Sequence, residues 1–246
     1  MPVAVPEAHK TKFLRHPAVV RITHWLTFVA FVALLFTGAE IVVSHPRFYW
    51  GETGNVNMHP LFIIPIPASR NLVPTGYGYV MPDQNGWSRA LHFQSAWLLV
   101  FTALVYGVWG IWSGHFRKRL LPERRDRHWR AYRERILHYL RFRKPDPREA
   151  VSYNVLQRTV YLAVIFVLFP MVIWTGLALS PGFNSAFPAA VNVLGGRQSA
   201  RTLHFFISGL LVLFLVVHVA MIALSGFFSR MRAMITGHLS SSEDQP

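Results

Sequence analysis

Apolar residues in this chain of 246 gather into four long runs, at about 22–44, about 90–112, about 154–179 and about 202–227, separated by segments rich in charge, proline or glycine. A hydrocarbon layer of about 30 Å needs about 20 apolar residues in helical form, and each run meets that length. The next apolar stretch, residues 61–66, falls far short. Inside a bilayer the backbone has no water to bond, so runs of this length are helices. The pattern predicts an all-α fold, a single integral membrane domain over residues 1–246. It is expected to be a four-helix bundle with long loops at 45–89 and 113–152 and a shorter connection at 180–201. The charges before the first run come late, and the run is as long as the membrane is thick. It therefore reads as a retained span rather than a cleaved leader.

Proline sets the character of the first loop. Six prolines between positions 45 and 89 exclude a regular helix there. The stretch 61–66 can lie in the membrane interface or cap the bundle, and the loop as a whole suits a docking surface or a lid. In the second loop Trp129, Tyr132, Ile136, Leu137 and Leu140 recur at helical spacing among arginines. That is the pattern of an amphipathic helix on anionic lipid, the alternative being a solvated basic linker.

Charge then orients the bundle. The formal net charge is +14, from 25 Lys+Arg against 11 Asp+Glu, a balance that in a soluble chain points to nucleic acid. Its distribution points to a membrane instead. Thirteen of the 25 lie between His115 and Ala150, and four (Lys10, Lys12, Arg15, Arg21) precede the first run. Loops 45–89 and 180–201 hold only five: Arg47, Arg70, Arg89, Arg197 and Arg201. Cytoplasmic loops of membrane proteins carry the excess of Lys and Arg. Both termini and loop 113–152 are therefore expected inside, N-in and C-in, with 45–89 and 180–201 outside a bacterial inner membrane. The chain has no cysteine, which excludes disulfides, thiolate metal sites, iron–sulfur clusters and covalent c-type haem.

Of twelve histidines only four lie in the runs: His24, His92, His204 and His218. Ionisable groups at membrane depth are costly and mark function by default. On the predicted topology His24 opens span one on the inner side, while His92 and His204 open spans two and four on the outer side. His218 follows His204 by fourteen residues, a rise of about 21 Å with a rotation to within roughly 40° of the same face. Two levels result, His24 with His218 inside and His92 with His204 outside. Opposed neutral imidazoles suit the axial positions of two haem irons. Gly38, fourteen residues after His24, shares its face at the outer level, where the missing side chain leaves room for a flat macrocycle. Close helix packing is the other use of such a glycine, and of Gly176 and Gly209.

Three spans open with Arg-x-x-His: Arg21 before His24, Arg89 before His92 and Arg201 before His204. These arginines can pair with haem propionates or serve as interfacial anchors. His45 is the rival of His92 for the outer site. His115 is rotated about 140° away from His92. His59 lies in the loop, and His9, His16, His128, His138 and His238 read as surface.

The Arg-x-x-His-Trp opening of span one (Arg21 to Trp25), the single early histidine of span two and the His-x13-His of span four carry a resemblance. They are similar to the di-haem cytochrome b subunits of nickel–iron hydrogenases, formate dehydrogenases and thiosulfate reductases, a prokaryotic cytochrome b561-like family. The likeness runs from about residue 15 to about residue 237. The stretch from Gly195 and Gly196 through Arg197 to Arg201 and His204 further resembles cytochromes b associated with periplasmic molybdenum enzymes of the sulfite-oxidase type. The resemblance implies two haem b groups, a quinone as substrate and an external redox subunit. It also implies a quinone site: Asn154-x-x-Gln157, after Tyr153, resembles an Asn-x-x-Gln at the inner end of span three in the formate dehydrogenase subunit. Asn154 can instead cap the helix, with Gln157 interfacial. Loop 45–89 is longer than in that subunit.

The expected function is transmembrane electron transfer in a respiratory chain, between the quinone pool and an external partner, a molybdenum-containing or other redox subunit. An autonomous quinone-linked oxidoreductase acting on a small external species such as superoxide is the nearest alternative. A transporter or anchor subunit with structural histidines is the alternative of another class.

Overall fold

The computed structural model describes residues 15–55, 57–65, 84–123, 126–141 and 154–238. Among them are four helices long and apolar enough to cross a membrane: Ala18–Ser44, Gly86–Trp112, Val155–Ala178 and Arg197–Leu224. They are called spans one to four, and the second belongs to a helix that starts at Gln84. Large apolar side chains such as Phe36, Ile111, Leu213 and Val216 point outward, as a lipid-facing surface requires. The molecule is an integral membrane helical bundle.

Spans one, two and four start several residues before their apolar runs, at Ala18, Gln84 and Arg197. The loops are correspondingly shorter than 45–89 and 180–201. Hydropathy marks the part of a helix that meets hydrocarbon, whereas the Arg-x-x-His turns continue the helix into the polar interface, where its first N–H groups find other partners.

Small residues set the packing of the first hairpin. Span one buries Thr23, Ala30, Thr37 and Ser44, one residue in every seven. Span two buries Ser88, Ser95 and Thr102 at the same interval. A seven-residue repeat keeps one helix face towards its neighbour. Small side chains let backbones approach where lipid removes the hydrophobic drive for association, and spans one and two lie along each other. The hydroxyls of Thr23, Thr37 and Thr102 each donate to the carbonyl four residues earlier, at 2.7 Å, so these three hydroxyls are satisfied within their own helices.

Spans three and four form a second hairpin with a larger-residue seam. Val164, Val172, Ile207 and Leu211 make one cluster, with Phe31 of span one against it. Ala178, Val191, Leu194 and Ala200 make another, flanked by Trp174. Span three is not regular throughout. Pro170 lacks the N–H that would bond the Phe166 carbonyl, and the helix widens to a π turn over Val164–Leu168, with the Phe169 N–H on the Val164 carbonyl.

The first loop folds back onto the start of span four. Strands β1 (Arg47–Phe48) and β2 (Phe62–Ile63) pair antiparallel, and Phe48 stacks on Phe62 at 4.7 Å and against Phe205 at 4.6 Å. The Gly51 carbonyl accepts from the Gln198 and Ser199 N–H groups at 3.0 and 3.1 Å, and Glu52 Oε2 accepts from the Arg197 N–H at 3.0 Å. Orphan donors of a helix start are thus met by a neighbouring loop, with a carboxylate at the positive end of the dipole. Gly196 makes this possible: its φ is +98°, and a Cβ there would lie 2.8 Å from the Glu52 backbone. Phe62 also packs on Phe206, so the stretch expected at the interface or as a cap covers the bundle end. Residues 66–83 lie outside the described residues.

At the other end, the helix Trp129–Leu140 occupies the basic segment. Tyr132 hydrogen-bonds Thr159 at 3.0 Å and Tyr139 meets the Asn154 amide, while Trp129 stays exposed. One face thus docks on span three and an aromatic remains free for the interface. The N–H of Arg15 bonds the Gly237 carbonyl at 2.8 Å, bringing the chain's two described ends together beside this segment.

Candidate functional site: four histidines between two hairpins

The bundle sets His24 of span one opposite His218 of span four, with ring centroids 6.4 Å apart and planes at 49°. It sets His92 of span two opposite His204 of span four, at 6.3 Å and 67°. Two imidazoles on opposite sides of one metal, with bonds of about 2 Å and about 1 Å more to each ring centre, have centroids about 6 Å apart. Both couples have that spacing. Among the described residues no three His, Asp or Glu side chains gather to hold a bare ion. A donor set of two imidazoles per level fits a metal whose remaining positions are filled by a macrocycle.

The couple at the loop end, His92 and His204, is held by two threonines and two glycines. Thr37 Oγ1 lies 2.9 Å from His92 Nδ1, and Thr175 Oγ1 lies 3.0 Å from His204 Nδ1. A Cβ on Gly38 would sit 3.6 Å from His92 Cε1, and one on Gly176 3.2 Å from His204 Cε1. Gly209 faces nothing within 4 Å. In the sequence Gly38 and Gly176 stand out singly, and neither threonine does. The repeated dipeptide, Thr37-Gly38 and Thr175-Gly176, is the signal that could have found them.

The couple at the basic end has different neighbours. Trp25 stands edge-on to His24 at 5.5 Å, and Tyr161 and Phe214 flank His218 at 6.3 and 5.5 Å. The His24 Nδ1 is buried and, among the described residues, has no hydrogen-bond partner. His16, expected at the surface, is instead half-buried. Its segment folds back against Gly237, a contact across the length of the chain. Burial first, then Arg15, His24, Arg119 and Arg230, lower its pKa to about 4, so it is neutral and surrounded by cations.

The three helix-opening arginines occupy distinct settings. Arg21 donates to the Ile235 carbonyl. Arg201 donates to the carbonyls of His45 and of Arg47, the latter at 3.1 Å, and lies 4.9 Å over the Phe48 ring. Arg89 is on the exposed side of span two, and after burial, Arg201 and then Arg89 lower the pKa of His45. His45 itself terminates span one, its N–H on the carbonyls of Ile41 and Val42. His115 sits in an aromatic nest with Tyr106, Trp109 and Phe116, and His59 is exposed.

Asn154 and Gln157 close a reciprocal cap at the start of span three. Asn154 Oδ1 accepts from the Gln157 N–H at 2.9 Å, and Gln157 Oε1 accepts from the Asn154 N–H at 3.3 Å. The Asn154 Nδ2 donates to the Tyr139 hydroxyl. Tyr153 lies outside the described residues.

Comparison with known proteins decides the family. The description of the prokaryotic cytochrome b561 family matches residues 15–237. The chain belongs to that family. Membership brings haem b as cofactor and electron transfer across the membrane as the role of this cytochrome. It is 32% identical over 231 residues, 91% of this chain and 96% of the relative, to the putative protein-methionine-sulfoxide reductase subunit YedZ1 of Azospira oryzae. It is 24% identical over 243 residues to the probable Ni/Fe-hydrogenase B-type cytochrome subunits of Azotobacter chroococcum and Azotobacter vinelandii, covering 94% of this chain and 90% of each. No solved structure matches the cytochrome.

Proposed function

We propose that this cytochrome holds two haem b groups, one between His24 and His218 and one between His92 and His204, and exchanges electrons between the quinone pool and an external redox subunit. The observation that carries this reading is the presence of two opposed imidazole couples at two depths, both using one face of span four. Haem supplies reversible one-electron chemistry whose potential depends on its axial ligands and surroundings.

The chain's own residues hold and separate the two centres. Span four gives one ligand to each level, about 21 Å apart along its axis. Two cationic zones suit haem propionates: Arg21 with Arg15, Arg119 and Arg230 around His16 at one end, and Arg89 with Arg201 around His45 at the other. Gly38 gives the level of His92 and His204 a backbone surface on span one. The arginine-rich segment and both termini belong in the cytoplasm by the distribution of charge, which places the couple of His92 and His204 near the outer face of a bacterial inner membrane.

The quinone site is assigned to the inner end of span three, by Asn154, Gln157 and Tyr153. The reciprocal cap occupies Asn154 Oδ1 and Gln157 Oε1. Among the described residues the Gln157 Nε2 makes no hydrogen bond, and it is the group suited to donate to a quinone carbonyl. The partner is an external redox subunit, molybdenum-containing or of another type; the relative named as a reductase subunit supports a reductase in that place. Exposed Trp50, Leu61 and Ile63 on the folded-back loop offer it an apolar contact.

The test is the visible spectrum of the purified protein with haem quantified per chain. Two haem b per chain, reducible by a quinol analogue, is the expected result. One haem per chain, or none, overturns the assignment.

A further inference from the structure

We infer that Thr37 and Thr175 are positioning residues for the haem between His92 and His204: they fix the tautomer and orientation of both ligand rings and set that haem apart from the other. The inference rests on the ligand assignment just proposed. A threonine hydroxyl has one hydrogen to give. Thr37 Oγ1 lies 2.7 Å from the Ala33 carbonyl oxygen as well as 2.9 Å from His92 Nδ1. Thr175 Oγ1 lies 2.7 Å from the Met171 carbonyl oxygen as well as 3.0 Å from His204 Nδ1. A carbonyl oxygen only accepts, and an oxygen–oxygen contact of 2.7 Å requires the hydrogen between the two. Each hydroxyl therefore donates to its own helix and meets the imidazole as an acceptor. The hydrogen of each ring sits on Nδ1, and Nε2 keeps its lone pair. That is the tautomer that binds a metal through Nε2.

The arrangement occurs on both sides of one couple, from two different hairpins. Thr37 and Thr175 are 1% and 0% exposed, so water does not compete for either hydroxyl. The glycine after each threonine lets the ring edge rest on the backbone, with Gly176 the tighter of the two. The other couple has no such support. Among the described residues the His24 Nδ1 has no partner and no hydrogen bond reaches the ring of His218. An Nδ1–H that donates to an acceptor makes the imidazole a more basic ligand, which favours ferric over ferrous iron. The threonines thus lower the potential of the haem at their level.

The experiment is a redox titration of the purified holoprotein, followed by visible and EPR spectra, for Thr37→Val, Thr175→Val, their double variant and the Thr→Ser counterparts. In the valine variants one haem is expected to titrate at a higher potential with a changed low-spin ferric EPR signal, the other staying as in the wild type. Serine restores both properties. Loss of one haem in the valine variants with retention in the serine variants supports the same conclusion. Wild-type potentials in the valine variants, an equal shift of both haems, or equal loss in serine and valine variants overturns it. His92→Ala separates the two levels of the argument. If it leaves two haems, the ligand assignment fails; if it removes one while Thr37→Val titrates as wild type, only the role of the threonines fails.

Discussion

His24 and His218, from the first and last spans, face each other with ring centroids 6.4 Å apart, and neither has a nearer histidine to pair with on its own helix. Replacing either by Ala is expected to remove one haem of two and leave the other's spectrum unchanged. His92→Ala is expected to do the same for the second haem, and His45→Ala to retain both. Haem content per chain, measured after purification, checks all of them. Loss of a haem in His45→Ala would transfer the ligand role to that residue.

The two glycines beside the rings of His92 and His204 predict unequal responses. A Cβ at position 176 would meet His204 Cε1 at 3.2 Å, closer than side chains normally approach, whereas at position 38 the contact of 3.6 Å is ordinary. Gly38→Ala is expected to fold without displacing the His92 ring and, because it narrows the backbone surface left for a macrocycle, to lower the content of one haem. Gly176→Ala is expected to displace the His204 ring, seen as a changed ferric EPR signal. Identical behaviour of the two variants would show that the contact at Gly176 imposes no constraint.

The cap at span three separates stability from quinone chemistry. Asn154→Ala removes the acceptor of the Gln157 N–H and is expected to cost about 1 kcal/mol, read as a lower thermal midpoint. Gln157→Met removes the amide donor and is expected to slow electron exchange with a quinol analogue steeply while dithionite still reduces both haems. Wild-type exchange in Gln157→Met would move the quinone site elsewhere, with the loop around His59 next to be examined.

Orientation is open to a direct check. Reporter fusions after Ser180 and after Gly114 are expected on opposite sides of the membrane, the first external. The reverse result would invert the assignment of inner and outer couples.

The spans and the histidine couples were legible because a helix fixes both rise and rotation per residue, so fourteen residues between His204 and His218 already state two depths on one face. Helix ends were not, because hydropathy follows the solvent around a helix rather than its hydrogen bonds. The docking of Gly51 and Glu52 on span four and the burial of His16 against Gly237 depend on contacts between segments remote in sequence. Thr37 and Thr175 are hidden in the sequence for another reason. Within an apolar run a threonine reads as a neutral filler, and only the distance to a ring on the neighbouring helix reveals its use.

The heptad of small residues makes spans one and two close neighbours along their length, and the aliphatic seam does so for spans three and four. Each histidine couple draws one ring from each hairpin: His24 and His92 from the first, His218 and His204 from the second. Two iron centres held in this way would rivet the halves together at both ends. Maturation then has a natural order, with each hairpin inserting and zipping on its own and the cofactor completing the assembly last. A chain deprived of haem would keep its hairpins and lose the two rivets between them, leaving the halves joined where Gly51 and Glu52 meet span four, where Phe31 meets the aliphatic seam and where Arg15 meets Gly237.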